Sequence, residues 1–390
     1  MKIINLFIFL FLFKVSSAFY IVGYLPSYRF YLLDEITFSN LTHVMISFVN
    51  PNGEGNFSYS KSISSVIDKA RPNGCKVFVS IGGGGLSDEI EHIYREQTKT
   101  ENRAQFISNL MRFVREKHVD GIDVDLEGSM VQMSTYNGFV KELIDSAHAF
   151  NIEVSAAFAK WTGASVDQST IEKFDFINLM SYDYTGPWST EGQHAPMSQV
   201  KGDFNYWRER GAQPENLVVG LPFYGYQFDA ESTSAKTWCE IVNNYPDSLN
   251  QDEIFTDEGT LYFNGKMTIQ EKLDFIDDNN AGGAMIWELG QDCFNEQSML
   301  SFIIQHRKEA NIVENQKKSR EMVFFPNPSS GVFNTKGLGE FKFEVYNLKG
   351  ELLESGINAD QLNLERLSFG VYLAVIEKEG QRITCRLVIQ

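Results

Sequence analysis

Residues 120–128 read Asp-Gly-Ile-Asp-Val-Asp-Leu-Glu-Gly, and the rest of the chain is best interpreted from this stretch outward. In an extended strand, successive side chains point to opposite faces, so Asp123, Asp125 and Glu127 share one face. Carboxyl groups this close raise one another's pKa, and at least one of them must hold a proton near neutral pH. The pattern therefore indicates a strand whose end carries acid–base catalysts.

The same stretch has two simpler interpretations, a solvated acidic edge and a calcium-binding loop. Calcium loops of the helix–loop–helix type arrange their oxygen ligands around a turn-forming glycine. Here Ile122, Val124 and Leu126 alternate with the acids, which is the period of a strand. We therefore favour the catalytic interpretation.

Short apolar runs alternate with longer amphipathic segments from residue 20 to residue 287. The runs are apolar at nearly every position, which is typical of parallel strands covered by helices. Eight such runs predict an α/β fold, a closed (β/α)8 barrel, in which catalytic residues lie at the C-terminal ends of the strands. Glu127 ends the fourth run. The runs are 20–25, 43–50, 75–81, 121–127, 152–158, 174–182, 217–223 and 283–287, and helical patterns occur at 63–70, 104–117, 136–149 and 269–278.

Composition limits the class of protein further. The chain has 390 residues, of which 43% are hydrophobic, and a formal net charge of −17. A globular protein without a dense basic cluster is a poor partner for nucleic acid. The 31 Phe and 16 Tyr residues suit a large core and a groove that stacks flat apolar faces, such as those of sugar rings. We expect a monomer, although no sequence feature fixes the oligomeric state.

The N-terminus has the pattern of an export signal. Lys2 precedes an apolar run at residues 3–13, and the small residues Ser16 and Ala18 follow it. This run is too short to span a bilayer comfortably, so we expect residues 1–18 to be a cleavable signal peptide and Phe19 to begin the mature chain. An uncleaved anchor is the alternative.

Four cysteines, Cys75, Cys239, Cys293 and Cys385, allow three pairings, among which the sequence does not choose. Cys75 opens an apolar run and is expected to be a buried small hydrophobe. Cys239 and Cys293 lie in two late loops and form the pair that merits a test. No Cys-x-x-Cys arrangement occurs and the six histidines are scattered, so we expect neither a metal nor another cofactor.

The character of the sequence changes after residue 306. Residues 307–321 are charged and predict a linker. Residues 322–390 contain short β-like runs separated by Pro, Asn and Gly, which predict a small all-β C-terminal domain. From these patterns alone, a carbohydrate-binding module is the natural hypothesis.

Residues 19–306 resemble glycoside hydrolase family 18, which contains chitinases and endo-β-N-acetylglucosaminidases. The family's strand-four signature, Asp-x-x-Asp-x-Asp-x-Glu, is complete here, and three further motifs follow the family's order. The four motifs are Ser80-Ile81-Gly82-Gly83, Asp120 to Glu127, Met180-Ser181-Tyr182-Asp183, and Trp287.

The resemblance implies a substrate-assisted, retaining mechanism, in which no second carboxylate attacks the sugar. Glu127 would protonate the glycosidic oxygen and later activate water. The acetamido oxygen of the substrate would close on the anomeric carbon, and Tyr182 would donate its hydroxyl to that oxygen. Asp125 would orient the acetamido group, while Asp123 would share a proton with Asp125.

The resemblance also implies a set of substrate-binding residues. Trp287 would form the floor under the sugar that is cleaved, and Asp183 would hydrogen-bond nearby. Met180 and Gly83 belong to the same motifs and would line the site.

Further aromatic residues lie close to the ends of the predicted strands. Tyr24, Phe48 and Tyr224 follow strands one, two and seven and would line either the cleft or the core. Three more aromatic residues fall in predicted loops, where additional sugar subsites would be built: Trp161, Trp188 and Tyr262.

Residues 225–281 bear on the shape of the cleft. In many family members an α+β insertion deepens the groove between strands seven and eight. We expect too few residues here for both a barrel helix and a sizeable insertion, and therefore a shallow cleft suited to endo-type attack.

The C-terminal region resembles the sorting domain of the type IX secretion system, in the stretches at 326–328, 345–350 and 367–372. This resemblance implies secretion or display on the cell surface and an interaction with the type IX machinery. It competes with the carbohydrate-binding hypothesis.

Taken together, the motifs imply a secreted hydrolase of β-1,4 bonds at N-acetylglucosamine, in chitin or chito-oligosaccharides. Two alternatives remain, an endo-β-N-acetylglucosaminidase acting on N-glycan cores and a non-hydrolytic, lectin-like chitin-binding protein. A conventional two-carboxylate glycosidase is disfavoured, because no matching carboxylate motif occurs on a late strand.

Overall fold

The computed structural model describes residues 19–59, 61–309, 324–335, 340–358, 360–378 and 381–390. The chain divides into two compact units, one extending to Ile304 and the other beginning at Gln305. The predicted signal peptide and most of the predicted linker lie outside the described residues. Residues 299–309 are helical, so a helix continues into the start of that linker. Within the described ranges, no helix combines the length and apolarity needed to cross a membrane.

The first unit is a closed barrel of eight parallel strands, as the sequence predicted. Each strand pairs with its neighbours around the barrel, and the last closes onto the first, where Gly283 pairs with Tyr20. Numbered in chain order, the barrel strands are β1 (Tyr20–Pro26), β2 (His43–Ser47), β3 (Lys76–Gly82), β4 (Gly121–Asp125), β5 (Glu153–Phe158), β6 (Phe176–Leu179), β7 (Leu217–Pro222) and β12 (Gly283–Trp287).

Amphipathic helices pack their apolar faces onto the barrel. In the first helix, Ile63, Val66 and Ala70 are buried at helical spacing, and the Ser62 side chain accepts the backbone N–H of Ser65 as a cap. The helices are α1 (Ile63–Ala70), α2 (Asp88–Gln97), α3 (Thr100–Lys117), α4 (Tyr136–His148), α5 (Gln168–Ile171), α6 (Met197–Glu209) and α8 (Lys266–Asp278).

A compact α+β insertion lies between β7 and β12. It contains a four-stranded antiparallel sheet and helix α7 (Trp238–Asn244), and barrel helix α8 follows it. The span therefore holds both elements, which corrects the expectation that it was too short for them, and the argument for a shallow cleft loses its basis. The strands are β8 (Tyr224–Asp229), β9 (Thr233–Thr237), β10 (Glu253–Thr256) and β11 (Gly259–Tyr262), in the order β10-β11-β8-β9.

A disulfide joins Cys239 of α7 to Cys293, which follows β12. This is the pair that the sequence analysis selected for a test. The bond ties the insertion to the segment that closes the barrel, and it restricts the unfolded chain. Cys75 is buried, as expected for a small hydrophobe.

Side chains fill the interior of the barrel towards the N-terminal ends of its strands. Tyr20 stacks on Phe176 with ring centroids 4.8 Å apart, and the buried His43 packs against Phe176 and the edge of Phe78. This filling closes one end of the barrel, so a ligand can enter only from the C-terminal ends of the strands.

From residue 324 onward, the described part of the second unit is all β, as predicted, and has its own apolar core around Phe333, Val345 and Leu387. It contains a three-stranded sheet, formed by the strands at residues 324–325, 332–335 and 361–363, and a four-stranded sheet formed by the other strands. The strands are β13 (Phe324–Phe325), β14 (Val332–Thr335), β15 (Phe341–Tyr346), β16 (Leu352–Asn358), β17 (Gln361–Asn363), β18 (Gly370–Lys378) and β19 (Gln381–Ile389).

Candidate active site

Strand β4 brings three acids to the C-terminal mouth of the barrel. Its strand pairing ends at Asp125, before the predicted end at Glu127. Glu127 nevertheless keeps an extended backbone, with φ −110° and ψ 166°, so the alternation of side chains continues to it. The intervening Val124 and Leu126 are buried in the core between strands and helices. The three carboxyls therefore project on one side, as the sequence predicted.

Asp123 is fully buried and accepts hydrogen bonds on both carboxylate oxygens. The hydroxyls of Tyr24 and Ser80 donate to its Oδ2, each at 2.7 Å. Ser155 donates to its Oδ1 at 2.7 Å, and the Asn178 amide donates to the same oxygen at 3.4 Å. Burial raises the pKa of Asp123, whereas these hydrogen bonds act in the opposite direction because they stabilise the anion.

The sequence analysis gave no role to Ser80, Ser155 or Asn178. Ser80 and Ser155 are the register partners of Asp123 on the two strands that flank β4. Asn178 interrupts the otherwise apolar strand Phe-Ile-Asn-Leu. An isolated polar residue inside an apolar parallel strand was the signal that could have identified them, because such a residue requires a buried partner.

Asp125 differs from Asp123 in its surroundings. It is buried, and its Oδ1 has no hydrogen-bond partner among the described residues. Burial, followed by the charges of Glu127 and Asp123, raises the pKa of Asp125 well above its ordinary value. Asp125 is therefore the member of the Asp123–Asp125 pair that holds a proton more firmly.

Glu127 lies at the mouth of the barrel beside the glycine turn that follows β3. A side chain at Gly84 would come within 3.0 Å of a Glu127 carboxylate oxygen, so the turn leaves room for this group. Burial, reinforced by the charge of Asp183, raises the pKa of Glu127 to about 7. The group can thus donate a proton below neutral pH and accept one above it.

Tyr182 and Met180 follow β6 and lie against the aromatic and apolar interior of the barrel. The nearest partner of the Tyr182 hydroxyl is the sulfur of Met285, at 3.9 Å. Burial and then the charge of Asp125 raise the pKa of Tyr182 well above its ordinary value. Its hydroxyl therefore stays protonated and has capacity to donate to a ligand.

Trp287 is one of three aromatic residues that pack together at the ends of β1, β2 and β12. It stacks on Phe48 with centroids 5.9 Å apart and planes 23° apart, and it packs at a tilt on Tyr24 at 5.4 Å. Gly83 is required here, since a Cβ at its φ of +100° would lie 2.5 Å from the Phe48 ring. The structure thus brings Trp287, Phe48, Tyr24 and Gly83 together in one apolar floor.

Asp183 lies on the other side of the mouth and is held by the insertion. The hydroxyls of Tyr224 and Tyr226, both in β8, donate to its Oδ1 at 2.5 Å and 3.1 Å. The buried His194 faces the same oxygen, with Nδ1 at 3.5 Å. Tyr224 therefore lies in the insertion sheet and hydrogen-bonds to Asp183. Tyr226 and His194, which also contact Asp183, were not predicted from the sequence.

The three aromatic residues expected in loops have different positions. Trp161 and Trp188 follow β5 and β6 and are 65% and 62% exposed. Trp188 packs edge-on against Tyr226, which places it next to the Asp183 cluster. Tyr262 is in strand β11 rather than in a loop, because its segment pairs with β8 in the insertion sheet. Two exposed indoles thus lie in the loops that follow the barrel strands.

A closed (β/α)8 barrel whose fourth strand carries three carboxyls on one side at its C-terminal end defines a protein of the glycoside hydrolase type. Comparison with known families agrees with this class. Residues 20–292 match the family described as glycosyl hydrolases family 18, and the chain belongs to this family. The resemblance inferred from the four motifs is confirmed.

Solved and curated relatives include chitinases of several organisms, and also chitinase-like proteins such as an agglutinin of Robinia pseudoacacia. A chitinase named ChiB, from the chitin utilization locus of Flavobacterium johnsoniae, has 34% identity and a TM-score of 0.72; the match covers 75% of this chain and 95% of that protein. Probable chitinase 10 of Drosophila melanogaster is 26% identical over 72% of this chain but only 15% of its own length. A probable endochitinase of Caenorhabditis elegans is 26% identical over 56% of this chain and 44% of its own length. The chain thus spans less than half the length of these two curated relatives.

The C-terminal unit has a separate relationship. Residues 323–390 match the family described as the secretion system C-terminal sorting domain. The type IX sorting domain inferred from sequence is confirmed, and it indicates export to the cell surface or beyond. The competing hypothesis of a carbohydrate-binding module has no such support.

Proposed function

We propose that this chain is a secreted chitinase-type hydrolase that cleaves β-1,4 linkages of N-acetylglucosamine, in chitin or chito-oligosaccharides, by substrate-assisted retaining catalysis. The observation that carries the proposal is Glu127, a largely buried carboxyl with a pKa of about 7 at the mouth of the barrel. Such an acid holds a proton near neutral pH and can transfer it to a leaving oxygen.

In the first step, Glu127 donates its proton to the glycosidic oxygen as the bond from that oxygen to the anomeric carbon breaks. The carbonyl oxygen of the 2-acetamido group forms a new bond to the same carbon from the opposite face. The product is an oxazolinium-type ring, whose positive charge is spread over the former amide. In the second step, Glu127 takes a proton from water, and the water oxygen opens this ring with net retention of configuration.

Residues that surround the candidate site would bind and stabilise this intermediate. Asp125 would orient the acetamido N–H and stabilise the charge that develops there, and Asp123 would share a proton with Asp125. The protonated Tyr182 hydroxyl would donate to the acetamido oxygen. Trp287, Phe48 and Met180 would provide the apolar floor under the sugar ring.

The proposal is tested by incubating the full chain with chito-oligosaccharides and, separately, with an N-glycosylated protein, and by identifying the products by mass. We expect shortened chito-oligosaccharides whose new reducing ends are initially the β-anomer. Trimming of the glycoprotein to a single N-acetylglucosamine would instead identify an endo-β-N-acetylglucosaminidase. Binding of chito-oligosaccharides without hydrolysis of either substrate would identify a lectin-like protein.

The variant Glu127→Gln isolates the acid. We expect kcat to fall by about 100-fold to 10,000-fold, with substrate affinity retained, because the amide fills the same space but transfers no proton. Asp120→Asn is the matched control, since Asp120 begins the same motif at the other end of β4 and accepts the backbone N–H of Val77. Equal losses in the two variants would contradict the assignment of Glu127.

Export through the type IX pathway completes the proposal. The predicted signal peptide would direct the chain across the first membrane, and the sorting domain would engage the type IX machinery. Substrate would then be encountered outside the cell, where polymeric chitin is accessible to a protein.

A further inference from the structure

His194 lies in the segment between β6 and α6. It approaches the active-site acid Asp183 from the protein interior. It is fully buried and packs against the rings of Tyr224 and Tyr226, at 5.0 Å and 5.2 Å. Its Nε2 faces the main-chain carbonyl oxygen of Tyr224 at 3.2 Å, and its Nδ1 faces Oδ1 of Asp183 at 3.5 Å. The imidazole thus connects the insertion sheet to the active site.

The two contacts determine which protonation states of His194 are favourable. A carbonyl oxygen only accepts hydrogen bonds, so Nε2 must carry a hydrogen, and Nδ1 of the neutral ring is then a lone pair. Nδ1 has no hydrogen-bond partner among the described residues. A lone pair facing a carboxylate oxygen is unfavourable, and the contact becomes attractive only when Nδ1 gains a proton. That proton would make an ion pair with Asp183.

Opposing influences set the pH at which His194 gains this proton. Burial has the largest effect and disfavours the charged ring, the Asp183 carboxylate favours it, and the ammonium group of Lys272 disfavours it. The pKa of His194 therefore lies below its ordinary value, and the ring is neutral at neutral pH. Among the described residues, the titratable and charged groups that act on it are Asp183 after β6, Tyr224 and Tyr226 of β8 and Lys272 of α8. The charges of Asp252, Glu271 and Asp203 act in turn on Lys272.

We propose that His194 is a positioning residue that controls the charge of Asp183 with pH, an inference that rests on the proposed function. When His194 is neutral, the Asp183 carboxylate acts on the active site with its full negative charge. When His194 is protonated in acid, the ion pair draws Asp183 towards the insertion and cancels that charge.

The charge of Asp183 matters for both stages of the reaction. It helps to raise the pKa of Glu127, and a negative group near the mouth stabilises the positive charge that develops on the sugar. Protonation of His194 removes both effects. Hydrolysis should therefore weaken on the acidic side as His194 becomes charged, even though Glu127 is fully protonated there.

The pH profile of kcat on a chito-oligosaccharide tests this inference in the full chain. We expect wild-type kcat to fall by about threefold to tenfold as pH drops below the ordinary titration range of histidine, and His194→Asn to lose this acidic limb. Lys272→Gln should move the limb to higher pH, because it removes a cation that opposes protonation of His194. Identical acidic limbs in wild type and His194→Asn would overturn the inference.

His43→Asn is the matched control for the loss of a buried imidazole. His43 is also buried, and burial also lowers its pKa, but it lies at the other end of the barrel beside Glu153. We expect this variant to lower stability while keeping the wild-type pH profile. Loss of the acidic limb in both variants would show that the effect is structural and would overturn the inference.

A second measurement does not depend on hydrolysis. Isotope-labelled histidine ring signals can be followed with pH by NMR, since the chain has only six histidines. We expect the midpoint of His194 to fall in Asp183→Asn and the midpoint of His43 to stay unchanged. If the wild type hydrolyses neither substrate, the proposed function fails, and this titration still decides the His194–Asp183 pairing. A His194 midpoint unaffected by Asp183→Asn would overturn it.

Discussion

Asp123 and Asp125 are neighbours on one face of β4, yet their hydrogen-bonding surroundings differ. Four donors converge on Asp123, whereas Oδ1 of Asp125 has no partner among the residues described. Burial raises the pKa of both acids, but the four hydrogen bonds oppose this rise at Asp123, whereas the charges of Glu127 and Asp123 add to it at Asp125, and the two titrate as a coupled pair.

The alkaline side of the pH profile should report Glu127. Its folded-state pKa is raised to about 7, so the acid form is present below that pH and is lost as pH rises through it. We expect kcat/KM to fall about tenfold for each pH unit above the pKa. Asp183→Asn removes a charge that raises this pKa, so its alkaline limb should move to lower pH. If the alkaline limb of Asp183→Asn coincides with that of the wild type, burial alone sets the pKa of Glu127.

The donors on Asp123 should be needed for catalysis. Ser155→Ala removes the 2.7 Å hydrogen bond to Oδ1, which stabilises the Asp123 anion, and should raise the pKa of Asp123 further. Because a hydrogen bond to a charged group contributes about 1.5–3 kcal/mol, we expect kcat to fall by about tenfold or more. Steady-state kinetics would measure this. Ser146→Ala is the control, since Ser146 lies half-buried on α4 and its hydroxyl donates to the carbonyl oxygen of Glu142 in the same helix. A Ser155→Ala enzyme with wild-type kcat would rule out the role.

The strands and helices show how much of the fold can be predicted from the sequence alone. The eight barrel strands begin at or within two residues of the predicted runs, and α1 has the predicted bounds, because buried parallel strands have a nearly continuous apolar signal. The sheet of the insertion was missed. Its strands are short, and their pairing depends on contacts distant in sequence, such as that of β8 with β11. The same limit applies to the site: Glu127 is visible in a motif, whereas Tyr226 and His194 reach Asp183 only through tertiary packing.

The turn that follows β3 should control the apolar floor. Gly83 and Gly85 both have positive φ, so alanine at either position costs about 1–2 kcal/mol of backbone strain. At Gly83 the new Cβ would also displace Phe48 from its stack on Trp287, whereas at Gly85 nothing lies within 4 Å. We expect Gly85→Ala to lower stability with kinetics near wild type, and Gly83→Ala to raise KM as well. Denaturant unfolding and steady-state kinetics would separate the effects; equal KM values would contradict this role of the turn.

At the scale of the whole molecule, chemistry and export are assigned to different parts of the chain. The family 18 match ends at residue 292 and the sorting-domain match begins at residue 323. The two units have separate apolar cores, and none of the candidate catalytic residues lies in the second unit. We therefore expect the barrel to fold without the second unit, because each core is built from residues of its own unit.

Deletion of residues 322–390 should therefore separate export from catalysis. We expect the purified truncated chain to hydrolyse chito-oligosaccharides with the kinetics of the full chain, because the barrel, the insertion and their disulfide all precede the deletion. In a bacterium with a type IX system, the same truncation should move activity from the medium or cell surface to the cell interior, since the sorting domain is the part that the secretion machinery would recognise. The Glu127→Gln full chain is the control for location, because it should be exported normally while inactive. A truncated chain that is exported would contradict the role of the sorting domain, and one that is folded but inactive would show that the second unit contributes to the site.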